Sequence, residues 1–407
     1  MKKRVAVIGG GASGLTAALI ASEKCSVVLF EKQKKIGRKI LITGNGRCNI
    51  SNTGIDAGRY HGHNPVFVKN VFTKFGLPET EDLFRSIGVP FIEEDDGKLF
   101  PASLQASLIP KVFEYELTAR SVEIKLHRRI DKIIPFKKGF KLITAGMEEE
   151  EFDSVILSCG SCAYPQTGAA RGGYELAHSL GHTVYEPFPV ITPVNIPLKA
   201  LHRLQGIKWD CGVKVYLGKK VIAESCDEIL FTAYGISGPA SLKVSRWVNE
   251  RVLNNETPEI ALDFFPQLSR DELRDMVDIL LEDKNKKLSF SLLGILKERV
   301  PGVLLSESGI DPEKRNGSVT DKEKETILSV LKGFRVVPGK CRGFDEAVAA
   351  AGGVSVDEIN PATMESKLVK GIYITGELLD IDGDSGGFNL QFAWSTGAIA
   401  GMSQLSE

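Results

Sequence analysis

A strand, a glycine-rich turn, a helix and a second strand open the chain, and this arrangement constrains the fold more than any other feature. Residues 4–8 (RVAVI) and 26–30 (SVVLF) are short apolar runs typical of buried strands. Residues 12–23 carry apolar side chains at helical spacing. Because a crossover of this kind joins parallel strands in the right-handed sense, the sequence predicts a Rossmann-type β-α-β unit at the start of an α/β domain.

The turn of this unit reads Gly9-x-Gly11-x-x-Gly14. Gly9 permits the tight turn, Gly11 lets a pyrophosphate approach the backbone, and Gly14 lets the helix pack close to the strands. The first helical residues, Ala12 and Ser13, offer free N–H groups to a phosphate. A coincidental glycine turn is the alternative interpretation, but the flanking strand and helix are the context that a dinucleotide fingerprint requires.

Two acidic residues at strand ends extend the predicted dinucleotide site. Glu31 ends the second strand about 20 residues after Gly11, where a carboxylate accepts hydrogen bonds from the adenosine ribose. The late run IYITGE places Gly376 and Glu377 at the end of another apolar strand. In glutathione-reductase-like flavoproteins such an acid binds a ribitol hydroxyl, although an ordinary strand-end acid is the alternative. One fingerprint combined with this late motif favours FAD over NAD.

Changes in sequence character divide the rest of the chain. Residues 120–160 contain short alternating segments that indicate an antiparallel meander returning to the main sheet. Four prolines between positions 187 and 197 then mark a boundary. We expect a discontinuous FAD-binding domain of residues 1–192 and 341–407, and an insert of residues 193–340 that is β-barrel-like over 193–265 and mainly helical over 266–340.

Composition excludes several classes of protein. The net charge is −1, with 51 basic and 52 acidic side chains, so the overall charge predicts neither a nucleic-acid nor an anionic membrane partner. No apolar run approaches the ~18 residues of a spanning helix, and we expect a cytoplasmic protein. Seven cysteines without an export signal argue against a disulfide framework. No His/Cys cluster has zinc spacing, and we expect no metal.

Three further motifs resemble those of one flavoprotein family. They are residues 37–49 (GRKILITGNGRCN), residues 230–239 (LFTAYGISGP), and residues 363–367 (TMESK) followed by 376–394 (GELLDIDGDSGGFNLQFAW). Together they resemble the HI-type family of NAD(P)/FAD-dependent oxidoreductases that includes aminoacetone oxidase and the bile-acid C=C reductase BaiN. The resemblance implies a glutathione-reductase-like FAD-binding Rossmann domain with an inserted β-barrel and helical subdomain. Ala233 departs from the pattern, since His is frequent there, and this weakens any acid or base assignment in that loop.

The resemblance and the residue chemistry together give a candidate FAD site. The loop 43–49 would line the FAD, and Arg47 would bind the pyrophosphate or a flavin edge, with a surface salt bridge as its alternative. The glycines that precede the last helix would direct its N-terminus at the flavin pyrimidine, where it stabilises negative charge on the reduced ring. The predicted FAD contacts are Gly9, Gly11, Ala12, Ser13, Gly14, Glu31, Lys32, Lys39, Thr43, Gly44, Gly46, Arg47, Cys48, Asn49, Ile130, Cys159, Gly160, Gly376, Glu377, Gly386, Gly387, Phe388 and Asn389.

The candidate substrate contacts are Tyr164, Tyr234 and Ser237, for which packing or a structural turn is the alternative. The Cys159-x-x-Cys162 pair invites a disulfide-reductase interpretation. Thioredoxin reductases, however, need a second dinucleotide domain, and no second fingerprint follows a later strand. No residue stands out as a catalytic acid or base.

These features predict an FAD-dependent oxidoreductase that acts on a small organic molecule. We favour reduction of an activated C=C bond in a steroid-like or bile-acid-like substrate, with NAD(P)H as a transient reductant. An aminoacetone-type amine oxidase that produces peroxide is one alternative. A non-catalytic flavin-bearing binding module is another. The identity of the substrate and the oligomeric state stay open.

Overall fold

The computed structural model describes residues 2–405 and divides the chain into two compact units. The first unit comprises the chain up to Phe188 together with the chain from Val348 onward, and the second comprises Pro189–Ala347.

The first unit begins with the β-α-β motif. Its helix ends two residues earlier than the predicted residue 23, because Ser22 takes up the C-cap position and its hydroxyl donates to the Leu19 carbonyl oxygen. The elements up to the end of the first segment are β1 (Arg4–Ile8), α1 (Ala12–Ala21), β2 (Ser26–Glu31), β3 (Ser51–Asn52), β4 (Tyr60–His61), α2 (Val66–Lys74), α3 (Leu77–Ser86), β5 (Phe91–Glu94), β6 (Lys98–Pro101), α4 (Leu108–Ala119), β7 (Glu123–Leu126), β8 (Ile130–Phe136), β9 (Gly139–Thr144), β10 (Glu149–Phe152), β11 (Ser154–Leu157), α5 (Gly172–Ser179) and β12 (Val184–Val190).

The second unit contains one six-stranded antiparallel sheet in the order β13-β16-β15-β14-β17-β18. Its buried side chains are mostly Leu, Val, Ile and Phe, which form a continuous core. The elements are β13 (Val194–Asn195), α6 (Lys199–His202), β14 (Lys208–Leu217), β15 (Lys220–Thr232), β16 (Gly235–Ser237), α7 (Pro239–Leu253), β17 (Glu259–Asp263), α8 (Arg270–Leu280), α9 (Leu288–Leu292), α10 (Val300–Glu307), α11 (Asp321–Gly333) and β18 (Phe334–Val336).

The chain then returns to the first unit with β19 (Ala349–Val354), β20 (Ile372–Ile374), β21 (Asp382–Gly383) and α12 (Phe388–Met402). Strand β20 completes a parallel sheet in the order β20-β11-β1-β2-β7, and β8, β9 and β10 form a separate antiparallel meander. Helices α1 and α12 pack so closely that a Cβ at Gly397 would lie 2.2 Å from the Ser13 carbonyl oxygen. This packing brings the N-terminal ends of both helices to the same edge of the sheet.

Candidate functional site

A cavity of about 1150 Å³ lies in the first unit at the carboxyl ends of β1, β2 and β11. It exceeds the roughly 300–1,000 Å³ of an ordinary small-ligand pocket. The turn before α1 and the first turn of α12 both contribute to its wall. Ligands of open α/β sheets bind at this edge, which makes the cavity the candidate site for an extended dinucleotide.

The structure places many of the predicted FAD contacts in the cavity wall and others outside it. The wall contains Gly9, Gly11, Ala12, Ser13, Glu31, Lys32, Lys39, Thr43, Ile130, Cys159, Gly160, Glu377 and Asn389. The predicted contacts outside the wall are Gly14, Gly44, Gly46, Arg47, Cys48, Asn49, Gly376, Gly386, Gly387 and Phe388.

The three fingerprint glycines meet different surroundings. Gly9 has φ +110°, and a Cβ on it would lie 2.3 Å from the Ser158 carbonyl oxygen. A Cβ on Gly14 would lie 1.9 Å from the carbonyl oxygen of Gly9. A Cβ on Gly11 would instead have no heavy atom within 4 Å, so the space beside this residue is open to the cavity.

Helix α1 begins with uncompensated positive charge. Its N-cap is Gly11, no side chain caps it, and its first turn contains no acidic residue. Because the first N–H groups of a helix have no intrahelical acceptors, they present donors and a partial positive charge to an anion. This end of the cavity fits a pyrophosphate.

Glu31 is held in a fixed orientation at the end of β2. Its Oε2 accepts a hydrogen bond from the Gly10 N–H at 2.9 Å, and its Oε1 accepts one from the Gln33 N–H at 2.8 Å. Since a carboxylate has about four acceptor sites, each oxygen retains a lone pair for a further donor such as a ribose hydroxyl.

Lys39 and Glu377 form an ion pair across another part of the wall. The Lys39 Nζ lies 2.7 Å from the Glu377 Oε2, and the Ser161 hydroxyl donates weakly to the same oxygen at 3.4 Å. Both charged side chains are largely shielded from solvent. The pair places a cation and a carboxylate on the cavity wall, where a polar ligand could contact both.

The loop 43–49 contains several left-handed residues, including Asn45 and Cys48. The Arg47 guanidinium makes a bidentate ion pair with Glu94, at 2.9 and 2.8 Å, and lies 4.4 Å above the Phe100 ring. Arg47 therefore makes the ion pair considered as its alternative role. Burial raises the pKa of the Cys48 thiol to about 12, so this side chain is a neutral thiol at physiological pH.

Helix α12 also begins without a side-chain cap or an acidic residue in its first turn. Its N-cap, Gly387, has φ +100°, and a Cβ there would lie 2.9 Å from the side-chain oxygen of Asn49. That oxygen is buried and has no hydrogen-bond partner among residues 2–405. A buried acceptor of this kind needs a donor, because leaving it unsatisfied costs about 1–3 kcal/mol.

The Cys159 and Cys162 side chains are free thiols. Burial raises the pKa of Cys159 to about 12 and also raises that of Cys162. Both groups are therefore poor thiolate nucleophiles at neutral pH. This finding argues against the disulfide-reductase interpretation.

The candidate substrate contacts do not line the cavity. Tyr164 has φ +65° and directly precedes cavity residues Pro165 and Thr167. Tyr234 and Ser237 belong to the second unit, where the Tyr234 ring lies beneath the Arg342 guanidinium at 4.7 Å.

Sequence reasoning missed a second set of cavity residues. Basic side chains enter the wall after β7 and before α5, where no fingerprint marks them. The glycines around position 172 are the signal that could have indicated part of this wall, since glycines let a backbone approach a ligand. These residues are Arg128, Arg129, Lys132, Gly168, Arg171, Gly172 and Gly173.

Comparison with known proteins agrees with this geometry. The model of the HI0933-like protein Rossmann domain family matches residues 3–403. The chain belongs to this family. It is 36% identical to the 3-dehydro-bile acid delta(4,6)-reductase of Clostridium scindens over 403 residues, which cover 98% of each chain. It is 29% identical to the ribosomal RNA dihydrouridine synthase of Escherichia coli over 400 residues, covering 96% of this chain and 95% of the relative.

Among solved structures, the 3-ketosteroid delta1-dehydrogenase of Sterolibacterium denitrificans shares the fold. The TM-score is 0.51 at 11% identity, with 98% of each chain covered. The predicted family, the Rossmann-type FAD-binding fold and the assignment as an FAD-dependent oxidoreductase are confirmed.

Across residues 2–405, no helix is long and apolar enough to cross a bilayer.

Proposed function

We propose that the protein reduces a carbon–carbon double bond conjugated to a carbonyl group, with FAD as its redox group and NADH or NADPH as the reductant. The observation that carries this proposal is the end-to-end similarity to relatives whose names describe one kind of reaction. A bile-acid delta(4,6)-reductase and a dihydrouridine synthase both add two hydrogens across a C=C bond that is conjugated to C=O.

The residues of the cavity wall fit FAD, and Asn49, which lies outside the wall, adds an unsatisfied acceptor near the start of α12. The α1 N-terminus suits the pyrophosphate, and Glu31 suits the adenosine ribose. Glu377, paired with Lys39, suits a ribitol hydroxyl. The α12 N-terminus and the unsatisfied Asn49 oxygen suit the flavin pyrimidine ring, which offers an N–H donor and takes up negative charge on reduction. FAD, when bound, would supply the two-electron chemistry.

A steroid-like conjugated ketone is the substrate class that we favour. The bile-acid reductase matches the whole chain at 36% identity, against 29% and 28% for the two dihydrouridine synthases.

Ribosomal RNA is the second candidate substrate, and the full-length match to the dihydrouridine synthases favours it. Several exposed basic side chains at the cavity rim, including Arg128 and Arg129, could contact phosphates. The uracil ring contains a C=C bond conjugated to a carbonyl, so both substrates would require the same reaction, reduction of a conjugated C=C bond.

Anaerobic spectroscopy of the purified yellow protein tests the proposal. We expect NADH or NADPH to bleach the flavin, and a 3-oxo steroid with a conjugated double bond to restore its absorbance. Reoxidation by unmodified ribosomal RNA but not by the steroid would select the second substrate. Peroxide formed from aminoacetone and oxygen, without bleaching by either nicotinamide, would overturn the proposal in favour of an amine oxidase.

A further inference from the structure

His63 has one ring nitrogen fixed and the other exposed. Its Nδ1 lies 2.7 Å from the Asp380 Oδ2, and its backbone N–H donates to the same oxygen at 3.0 Å. The His63 side chain is 59% exposed, whereas the Asp380 side chain is 2% exposed. By contrast, both ring nitrogens of His182 are engaged, by Glu358 and Ser366.

The ring of His63 is also held from its face. It stacks on the Tyr185 ring with a centroid separation of 3.6 Å and an interplanar angle of 13°. The buried Asp380 carboxylate and the stacked ring together fix the orientation of the imidazole. A carboxylate on Nδ1 keeps the proton on that nitrogen, so the second proton of the charged ring resides on the exposed Nε2.

Backbone pairing connects this histidine to the start of α12. Strand β4, which ends two residues before His63, pairs with β21 in the antiparallel sense. The Tyr60 hydroxyl donates to the carbonyl oxygen of Phe388, the first residue of α12, at 2.9 Å. Asn389, the next helical residue, lines the cavity and binds the backbone of Gly383 in β21.

We propose that His63 is the proton donor of the reduction, with Asp380 as its positioning residue. This inference rests on the proposed function and deepens it. The α12 N-terminus suits the flavin pyrimidine ring, and the antiparallel pairing of β4 with β21 sets His63 beside Asp380, which lies on the segment that joins the cavity residue Glu377 to that helix. The assignment requires the exposed Nε2–H to reach a substrate bound against the flavin ring.

The hydride, the proton and the electron pair of the reduction each have a source. Reduction of a conjugated C=C bond requires a hydride at the β-carbon, which FAD, when bound and reduced, would supply, and a proton at the α-carbon. His63 Nε2–H donates that proton to the enolate, and the neutral ring keeps its Nδ1–H bond to Asp380. Solvent returns a proton to the exposed Nε2, and NADH or NADPH returns the electron pair to FAD.

Two variants of His63 separate proton donation from structure. In His63→Asn, the side-chain amide can still donate to Asp380 but has no transferable proton. In His63→Ala, the space left by the exposed ring is open to added imidazole. His127→Asn is the matched control, because His127 is exposed and has φ +56°, a conformation that asparagine tolerates.

Rapid mixing under anaerobic conditions measures the two half-reactions separately. We expect both His63 variants to be reduced by NAD(P)H at the wild-type rate and reoxidised by the conjugated ketone about 10²–10⁴-fold more slowly, which is the usual loss for a missing general acid. Imidazole should restore His63→Ala but not His63→Asn. Nitrogen-15 NMR of the histidine rings, which needs no turnover, should show a proton on Nδ1 of His63 that is lost or shared in Asp380→Asn.

The outcomes separate this inference from the function on which it rests. If no conjugated carbonyl compound reoxidises the reduced wild-type flavin, the proposed function fails and this inference fails with it. If the wild-type protein is reoxidised and His63→Asn is reoxidised equally fast, only the assignment of His63 is overturned. An unprotonated Nδ1 in the wild-type protein would overturn the role of Asp380.

Discussion

Replacing Gly11 by alanine should weaken FAD binding without harming the fold. Gly11 has φ −87° and ψ −173°, which alanine adopts freely, and its Cβ would meet no heavy atom within 4 Å. The fold should therefore gain about 0.4–1 kcal/mol, through the lower entropy of the unfolded chain. The new methyl group would occupy the path of the pyrophosphate along the α1 N-terminus.

The loss of affinity follows from the hydrogen bonds that the methyl group prevents. A hydrogen bond to a charged group contributes about 1.5–3 kcal/mol. Preventing one or two such bonds between backbone N–H groups and the pyrophosphate should therefore raise the Kd for FAD by roughly 10- to 10⁴-fold.

Gly14→Ala is the matched control, because its Cβ would collide with the Gly9 carbonyl oxygen at 1.9 Å. Overpacking of this kind costs about 1–3 kcal/mol, so this variant should unfold at lower denaturant concentration whether or not FAD is present. Urea unfolding and flavin fluorescence titration of the three proteins give both quantities. Wild-type FAD affinity in Gly11→Ala would refute the assignment of this turn to the pyrophosphate.

Two further predictions concern titrating groups. A thiol reagent at pH 8 should label the exposed Cys226 readily but leave Cys159 intact, because a pKa of about 12 leaves about one thiolate in 10⁴ at Cys159. Rapid labelling of the folded Cys226→Ser variant would contradict this. Burial opposes the charge of Asp384, but hydrogen bonds from His61 and Arg59 outweigh burial and lower its pKa. The carboxylate therefore stabilises the fold at neutral pH, and this contribution is lost as the pH falls below about 4. Between pH 6 and pH 3 the Tm should fall less in Asp384→Asn than in the wild-type protein, and equal falls would show that the carboxylate has no such role.

The β-α-β unit could be predicted because its signals are local. The apolar runs of β1 and β2, the glycines between them and the acid at the end of β2 all lie within the first 31 residues. The late strand β20 could also be predicted, since the run IYITGE ends in the same combination of glycine and acid. In each of these elements, residues close together in the sequence are enough to indicate the local structure.

The partners of the polar side chains could not be predicted in the same way. Arg47 pairs with Glu94, 47 positions away, and His63 pairs with Asp380, 317 positions away. Neither pair has a helical or strand spacing that sequence reasoning can use, because only the packing of the first unit brings the partners together. The sequence could therefore name neither Glu94 as the partner in the alternative role of Arg47 nor any role for His63.

Product analysis of a single anaerobic turnover tests the central claim most directly. The protein, loaded with FAD and reduced by one equivalent of NADH or NADPH, is mixed with a conjugated 3-oxo steroid, and the product is identified by mass spectrometry. We expect one saturated product, heavier by two hydrogens, for each flavin reoxidised. An unchanged steroid beside a flavin that stays reduced until oxygen is admitted, with ribosomal RNA equally inert, would contradict it.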